Sequence, residues 1–149
     1  MRKLAVLAMV AIWLIPAIPA SATPPTAVGF FVPTEFGVTN HFTASGPAVD
    51  SGLMCPTGTV DDIFGKISGF KSQTGVIFQV VKVFTCDDDS GSFVVKLQVR
   101  IDFKGDNFQW VVLGGDGAYS KLHGSGSGIG IDPTETAITD IYEGAVHMD

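Results

Sequence analysis

Strict alternation of apolar and polar side chains runs through residues 92–104. Phe93, Val95, Leu97, Val99, Ile101 and Phe103 take one parity, and Lys96, Gln98, Arg100, Asp102 and Lys104 take the other, with Val94 alone out of step. A period of two is the mark of a strand with one buried face. Residues 75–85 form a long β-branched and aromatic run, and Cys86-Asp87-Asp88-Asp89-Ser90-Gly91 is a polar turn between the two segments, so together they predict a hairpin. Residues 28–32 and 37–44 predict two earlier strands, the first ended by Pro33. Residues 57–60 and 63–70 predict one interrupted strand or two short ones, with Gly65 suggesting a bulge or bend. Gly105-Asp106-Asn107 reads as a turn, residues 108–113 as a strand, and residues 137–148 as a last strand entered through Asp132-Pro133. Helical periodicity is nearly absent.

The stretch from Trp110 to Gly130 sharpens this picture. Gly114, Gly115 and Gly117 can take positive φ without penalty, so a sharp corner is expected there, with Tyr119 as its aromatic anchor. Gly124, Gly126, Gly128 and Gly130 then fall on a single strand face. A strand with one bare face can coil tightly, or let another element approach its backbone. Seven or eight strands with short connections predict an antiparallel, all-β chain, and a sheet of that size must close or split into two layers. The bare strand and the bend at Gly65 point to a closed barrel of about eight strands. The alternative is a β-sandwich. Its immunoglobulin form expects a tryptophan between the cysteines, and none lies between Cys55 and Cys86.

Arg2 and Lys3, the apolar run 4–15, the helix breakers Pro16 and Pro19, and Ala20-Ser21-Ala22 form an export signal. Three segments are therefore expected: the signal, residues 1–22; a proline-rich leader with a first strand, residues 23–34; and the barrel domain, residues 35–149. Of nine Lys and Arg, two leave with the signal, and seven then face fifteen Asp and Glu. Such an acidic balance argues against nucleic acid or anionic lipid as a partner through bulk electrostatics. No second apolar run could hold the chain in a membrane after cleavage. Cys55 and Cys86 are the only cysteines, and in an exported protein they are expected to form one disulfide, stabilising the fold by about 3–4 kcal/mol on the chain-entropy model. The C-x-x-C of a redox pair and the short spacings of a four-ligand metal site are both missing.

The run Trp110-Val111-Val112-Leu113, then Gly114-Gly115-x-Gly117-x-Tyr119, then Leu122-x-Gly124, resembles the strand–corner–strand motif of the allene oxide cyclase and dirigent barrel superfamily. Thr139-Asp140-Ile141-Tyr142-Glu143-Gly144 resembles the last strand of its small secreted bacterial members. The resemblance implies an eight-stranded antiparallel barrel, often a homotrimer, with a cavity at one end that in the plant enzymes guides a cyclisation or coupling. The family's catalytic residues have no matching positions here, so none is carried over. Asp116 departs from the small hydroxyl residue usual at the corner, a change the turn tolerates.

Candidate chemistry is sparse. Arg100 and Asp102 share a charged strand face, whose simplest meaning is a solvated outer surface. If that face instead lined a wet cavity, Arg100 could hold an anionic ligand by its planar fork and Asp102 could orient it or accept a proton; these two are the ligand-binding candidates. His41, His123 and His147 have no short ligand spacing, and Asp87-Asp88-Asp89-Ser90-Gly91 departs from a calcium loop, so no metal is expected. There is no nucleophile elbow, Walker loop or dinucleotide fingerprint, so no cofactor and no catalytic residue is assigned. Phe64, Phe70, Phe78, Phe84, Phe93, Phe103 and Phe108 all fall on strands, most as core filler, a few as pocket lining. The expected function is an exported, disulfide-bridged barrel that binds a small apolar ligand or serves as a non-catalytic secreted module. The alternatives are a cyclase or isomerase acting by confinement, and a surface-interaction protein.

Overall fold

Apolar side chains at every second position can be buried together when the strands curl around a common interior. The computed structural model of the protein has this form. It describes residues 22–71, 75–102 and 105–149, and the side chains within them other than those of 66–71 and 102. The expected export signal lies outside the described residues save for Ala22, and Phe103 and Lys104 lie outside them altogether. Eight antiparallel strands close into one barrel: β1 (Thr26–Glu35), β2 (Asn40–Ser45), β3 (Thr57–Lys71), β4 (Gly75–Cys86), β5 (Ser92–Asp102), β6 (Gly105–Gly115), β7 (Leu122–Ile131) and β8 (Ala137–Met148). Each pairs with its sequence neighbours, and β1 closes on β8 along its whole length. The two-layer alternative is excluded.

Several boundaries move. The expected leader is mostly β1, which makes Thr26–Glu35 part of the barrel wall, and Thr23 is tied to Met148 through backbone and side chain. Gly105, Asp106 and Asn107, read as a turn, open β6 instead, because Asp102 already pairs with Gly105. β3 is one strand with bulges between Asp62 and Phe64 and between Ile67 and Gly69, which bracket Gly65 and bend the sheet there. The first bulge has a second effect. Asp62 stands opposite Lys82 and Phe64 opposite Val81, so one extra residue has carried Phe64 to the outer face, where it is 52% exposed rather than core filler. A single helical turn, α1 (Pro47–Asp50), follows β2 and buries Ala48 at the barrel end.

The bare face of β7 points inward. The Trp110 ring lies over Gly126 and the Phe108 ring over Gly128, each where a Cβ would stand. Trp110 Nε1–H reaches the backbone oxygens of Ser127 and Glu143, both at 3.2 Å, so its one donor is satisfied by the strands it covers. At the corner Gly117 has φ 55°, and Asp116 Oδ1 accepts from Ser92 N–H at 2.7 Å. Tyr119 anchors it: its hydroxyl accepts from Cys55 N–H at 3.0 Å and shares a hydrogen bond with Ser90 Oγ at 3.1 Å. Beside it Cys55 and Cys86 form the disulfide, buried, joining the segment after α1 to the end of β4.

Aromatic rings fill this end of the barrel. Phe30 meets Phe42, Phe84, Phe93, Trp110 and Tyr142, and Phe84 stacks on Phe93 with centroids 5.0 Å apart. An eight-stranded barrel is just wide enough to be filled by side chains or to hold one small ligand. Here one end is filled. The other is walled mainly by shorter aliphatic residues and is not.

Candidate ligand-binding cavity

Where β1, β3, β5 and β7 end and β2, β4, β6 and β8 begin, the interior opens into a cavity of about 560 Å³. Its walls are Phe78 and Val80 of β4, Leu97, Val99 and Ile101 of β5, Phe108 of β6 and Ile138 of β8. Phe36, Pro133 and Thr134 come from the connections at the mouth. An apolar cavity of this size with a few polar groups placed in it is the usual form of a small-molecule site.

Four charged residues and a threonine supply those polar groups. Lys82 is only 4% exposed, yet it stands on the inward parity of β4 between Val80 and Phe84. Its ammonium lies 3.2 Å from Asp62 Oδ1 and 3.4 Å from Asp140 Oδ2. Asp140 also accepts from Thr34 Oγ1 at 3.0 Å. An unpaired buried charge costs several kcal/mol, and this network is how the barrel tolerates an ion pair in an apolar interior. Burial raises the Asp140 carboxyl above its ordinary range, while the Lys82 ammonium and the Thr34 hydroxyl pull the other way.

Asp106 stands at the start of β6, level with Asp140 and separated from it by Gly130 of β7. Its Oδ1 is buried and has no hydrogen-bond partner among the described residues. Burial, then the charge of Asp140, push its pKa up to about 6. Two residues beyond Asp140 on the same inward parity, Tyr142 is 1% exposed, and its hydroxyl too has no partner. Burial raises the phenol well above its usual value, helped by the negative charges of Asp140, Asp62 and Asp106. The polar floor therefore holds one ammonium, three carboxyl groups and the Thr34 hydroxyl, while the Tyr142 hydroxyl is sealed in the packed interior beneath it.

Phe78 and Phe108, named from sequence, line the cavity; of the two ligand-binding candidates only the side chain of Arg100 is described, and it stands away from it. Arg100 is exposed on the outer face, with the apolar parity of the same strand lining the cavity; the side chain of Asp102 lies outside the described residues. The charged face of β5 is thus the solvated one. Asp87, Asp88 and Asp89 form an exposed hairpin tip, where Asp88 Oδ1 accepts from Ser90 N–H at 3.0 Å. Among the described residues no cluster of His, Cys, Asp or Glu could hold a metal ion, and no helix is long and apolar enough to cross a membrane. Lys82, Asp140, Thr34 and Asp106 went unread, although a signal existed for three. Lys82 shares the parity of Val80 and Phe84, Asp140 that of Tyr142 and Val146, and Thr34 that of Phe30 and Val32. A charge on the core parity of a strand marks a buried site. No protein-family model matches the chain, and no curated protein matches it.

Proposed function

We propose that this is an exported, disulfide-bridged barrel whose work is to bind one small, largely apolar ligand in the open end. The observation that carries this reading is the pairing of a closed, aromatic-filled end with an aliphatic cavity of about 560 Å³ floored by a few buried polar groups. The signal-like residues 1–22 and the buried disulfide support an oxidising, extracellular or envelope location. Native mass spectrometry of the mature protein purified from its own host tests the proposal. A co-purifying small molecule is expected, and it should be lost when Ile138→Trp fills the cavity. Protein that emerges empty, and takes up no apolar probe either, would refute it.

A second reading rests on Asp106. A carboxyl group titrating near 6 in an apolar site can serve as a general acid, and confinement can contribute several kcal/mol to a cyclisation barrier. A cyclase or isomerase of the kind implied by the allene oxide cyclase and dirigent resemblance would use both. Asp106→Asn should then abolish turnover of a ligand it still binds; unchanged turnover rejects this reading. Association of copies, as the resemblance also implies, is supported by Phe31 and Ile129, exposed on the outer face and joined through Ile141 across β1, β8 and β7. Sedimentation velocity reads it directly.

A further inference from the structure

The polar floor of the cavity is unbalanced in a way that constrains what can bind. Lys82 is the one cation among the described lining residues, and its charge is already shared by Asp62 and Asp140. Asp140 is further satisfied by Thr34. Asp106 is left over: among the described residues no ion pair reaches it, and its buried Oδ1 lacks a donor. A carboxylate left without a counter-charge beside an apolar space is costly, and a cation held in the cavity would offset that cost.

Resting on the ligand-binding reading above, we infer that the cavity selects an amphiphilic amine: an apolar body filling the aliphatic walls, and a protonated nitrogen paired with the Asp106 carboxylate that lines it. A carboxylate-headed amphiphile of the same length meets the opposite situation. It would add a fourth negative group to a floor that holds three carboxyls, and its best partner, Lys82, is engaged on both sides. A neutral alcohol falls between, able to donate one hydrogen bond without charge. The raised pKa of Asp106 agrees with this picture, since a carboxyl group in want of a counter-charge holds its proton until one arrives.

The test is a ladder of head groups on one body. Octylamine, 1-octanol and octanoate are titrated calorimetrically into the mature protein at pH 7.5 and low salt. Octylamine is expected to bind about tenfold or more tightly than octanoate, as one charge-assisted hydrogen bond allows, with octanol between them. In Asp106→Asn the amine advantage over octanoate should shrink to about threefold or less, because the carboxylate charge that separates the two head groups is removed. Octanoate binding as tightly as octylamine overturns the amine inference and leaves the ligand-binding reading intact. Failure of all three to bind overturns both. The wild-type ladder decides the matter even if the Asp106 variant does not fold.

Discussion

Gly126→Val probes the strand that lets the barrel close. A Cβ built at Gly126 presses on the Glu143 carbonyl oxygen and lies 2.7 Å from Gly144 Cα and 2.8 Å from Trp110 Cε2. Two of those atoms are β8 backbone and cannot rotate away. The third belongs to a ring held by two hydrogen bonds to the same strands. Overpacking ordinarily costs about 1–3 kcal/mol, and displacing the ring leaves a buried N–H without a partner for about another 1–3 kcal/mol. A loss of about 3–5 kcal/mol follows, a large share of the 5–15 kcal/mol that holds a typical domain together. For a domain of this length it should lower Tm by about 10–20 °C. Urea denaturation followed by tryptophan fluorescence measures it cleanly, because removal of residues 1–22 takes Trp13 and leaves Trp110 as the only reporter. Gly65→Val is the control. Nothing lies within 4 Å of a Cβ there, so stability should change by about 0.5 kcal/mol or less. A Gly126→Val protein that melts like the parent would show that β8 and Trp110 do not need the bare face.

Lys82→Met strands Asp140 as a buried charge and should cost about 3 kcal/mol at pH 7.5; adding Asp140→Asn should recover at least half of it by chemical denaturation. Asp106 has a folded pKa raised to about 6, so its contribution to stability is complete below its ordinary pKa and is lost as pH rises through 6. After discounting for a half-exposed side chain, Asp106→Asn should be more stable than the parent by about 1–2 kcal/mol at pH 7.5 and no more stable at pH 4.5; equal gains at both pH values would reject the assignment. The native protein should show no thiol to a disulfide-exchange reagent, and the double variant Cys55→Ala, Cys86→Ala should lose about 3–4 kcal/mol; rapid labelling of Cys55 without denaturant would refute the bridge.

Much of the fold was readable because period-two patterning and glycine placement are local signals. The alternation from Phe93 to Val99 assigned the buried face of β5 correctly, with Ile101 of the same parity 41% exposed at the cavity mouth, and Gly124, Gly126 and Gly128 marked a strand to be covered closely. Phe64 was misread because a bulge inserts one residue into β3, and nothing local marks Ile63 as the extra one. The cavity was harder. Gly105-Asp106-Asn107 carries turn chemistry, which concealed a strand residue facing inward. Arg100 drew notice as a charge in a regular pattern, but regular charge is what a solvated face looks like, and Arg100 is exposed on one. Lys82 was overlooked within an apolar run, where its parity, more than its neighbours, carried the meaning.

By itself, then, the sequence determined most of the strand inventory and pointed to one disulfide, since each depends on local patterning or on one cysteine pair; closure of the sheet was indicated by the bare strand and shown by the pairing of β1 with β8. Tertiary structure alone decided which end of the barrel stays open, and it set Thr34, Asp62, Lys82, Asp106 and Asp140 around one space. Those five come from five strands or strand ends up to 106 residues apart, as between Thr34 and Asp140. Their meeting is a consequence of curvature and register, which accumulate over the whole sheet and are written in no single segment of it.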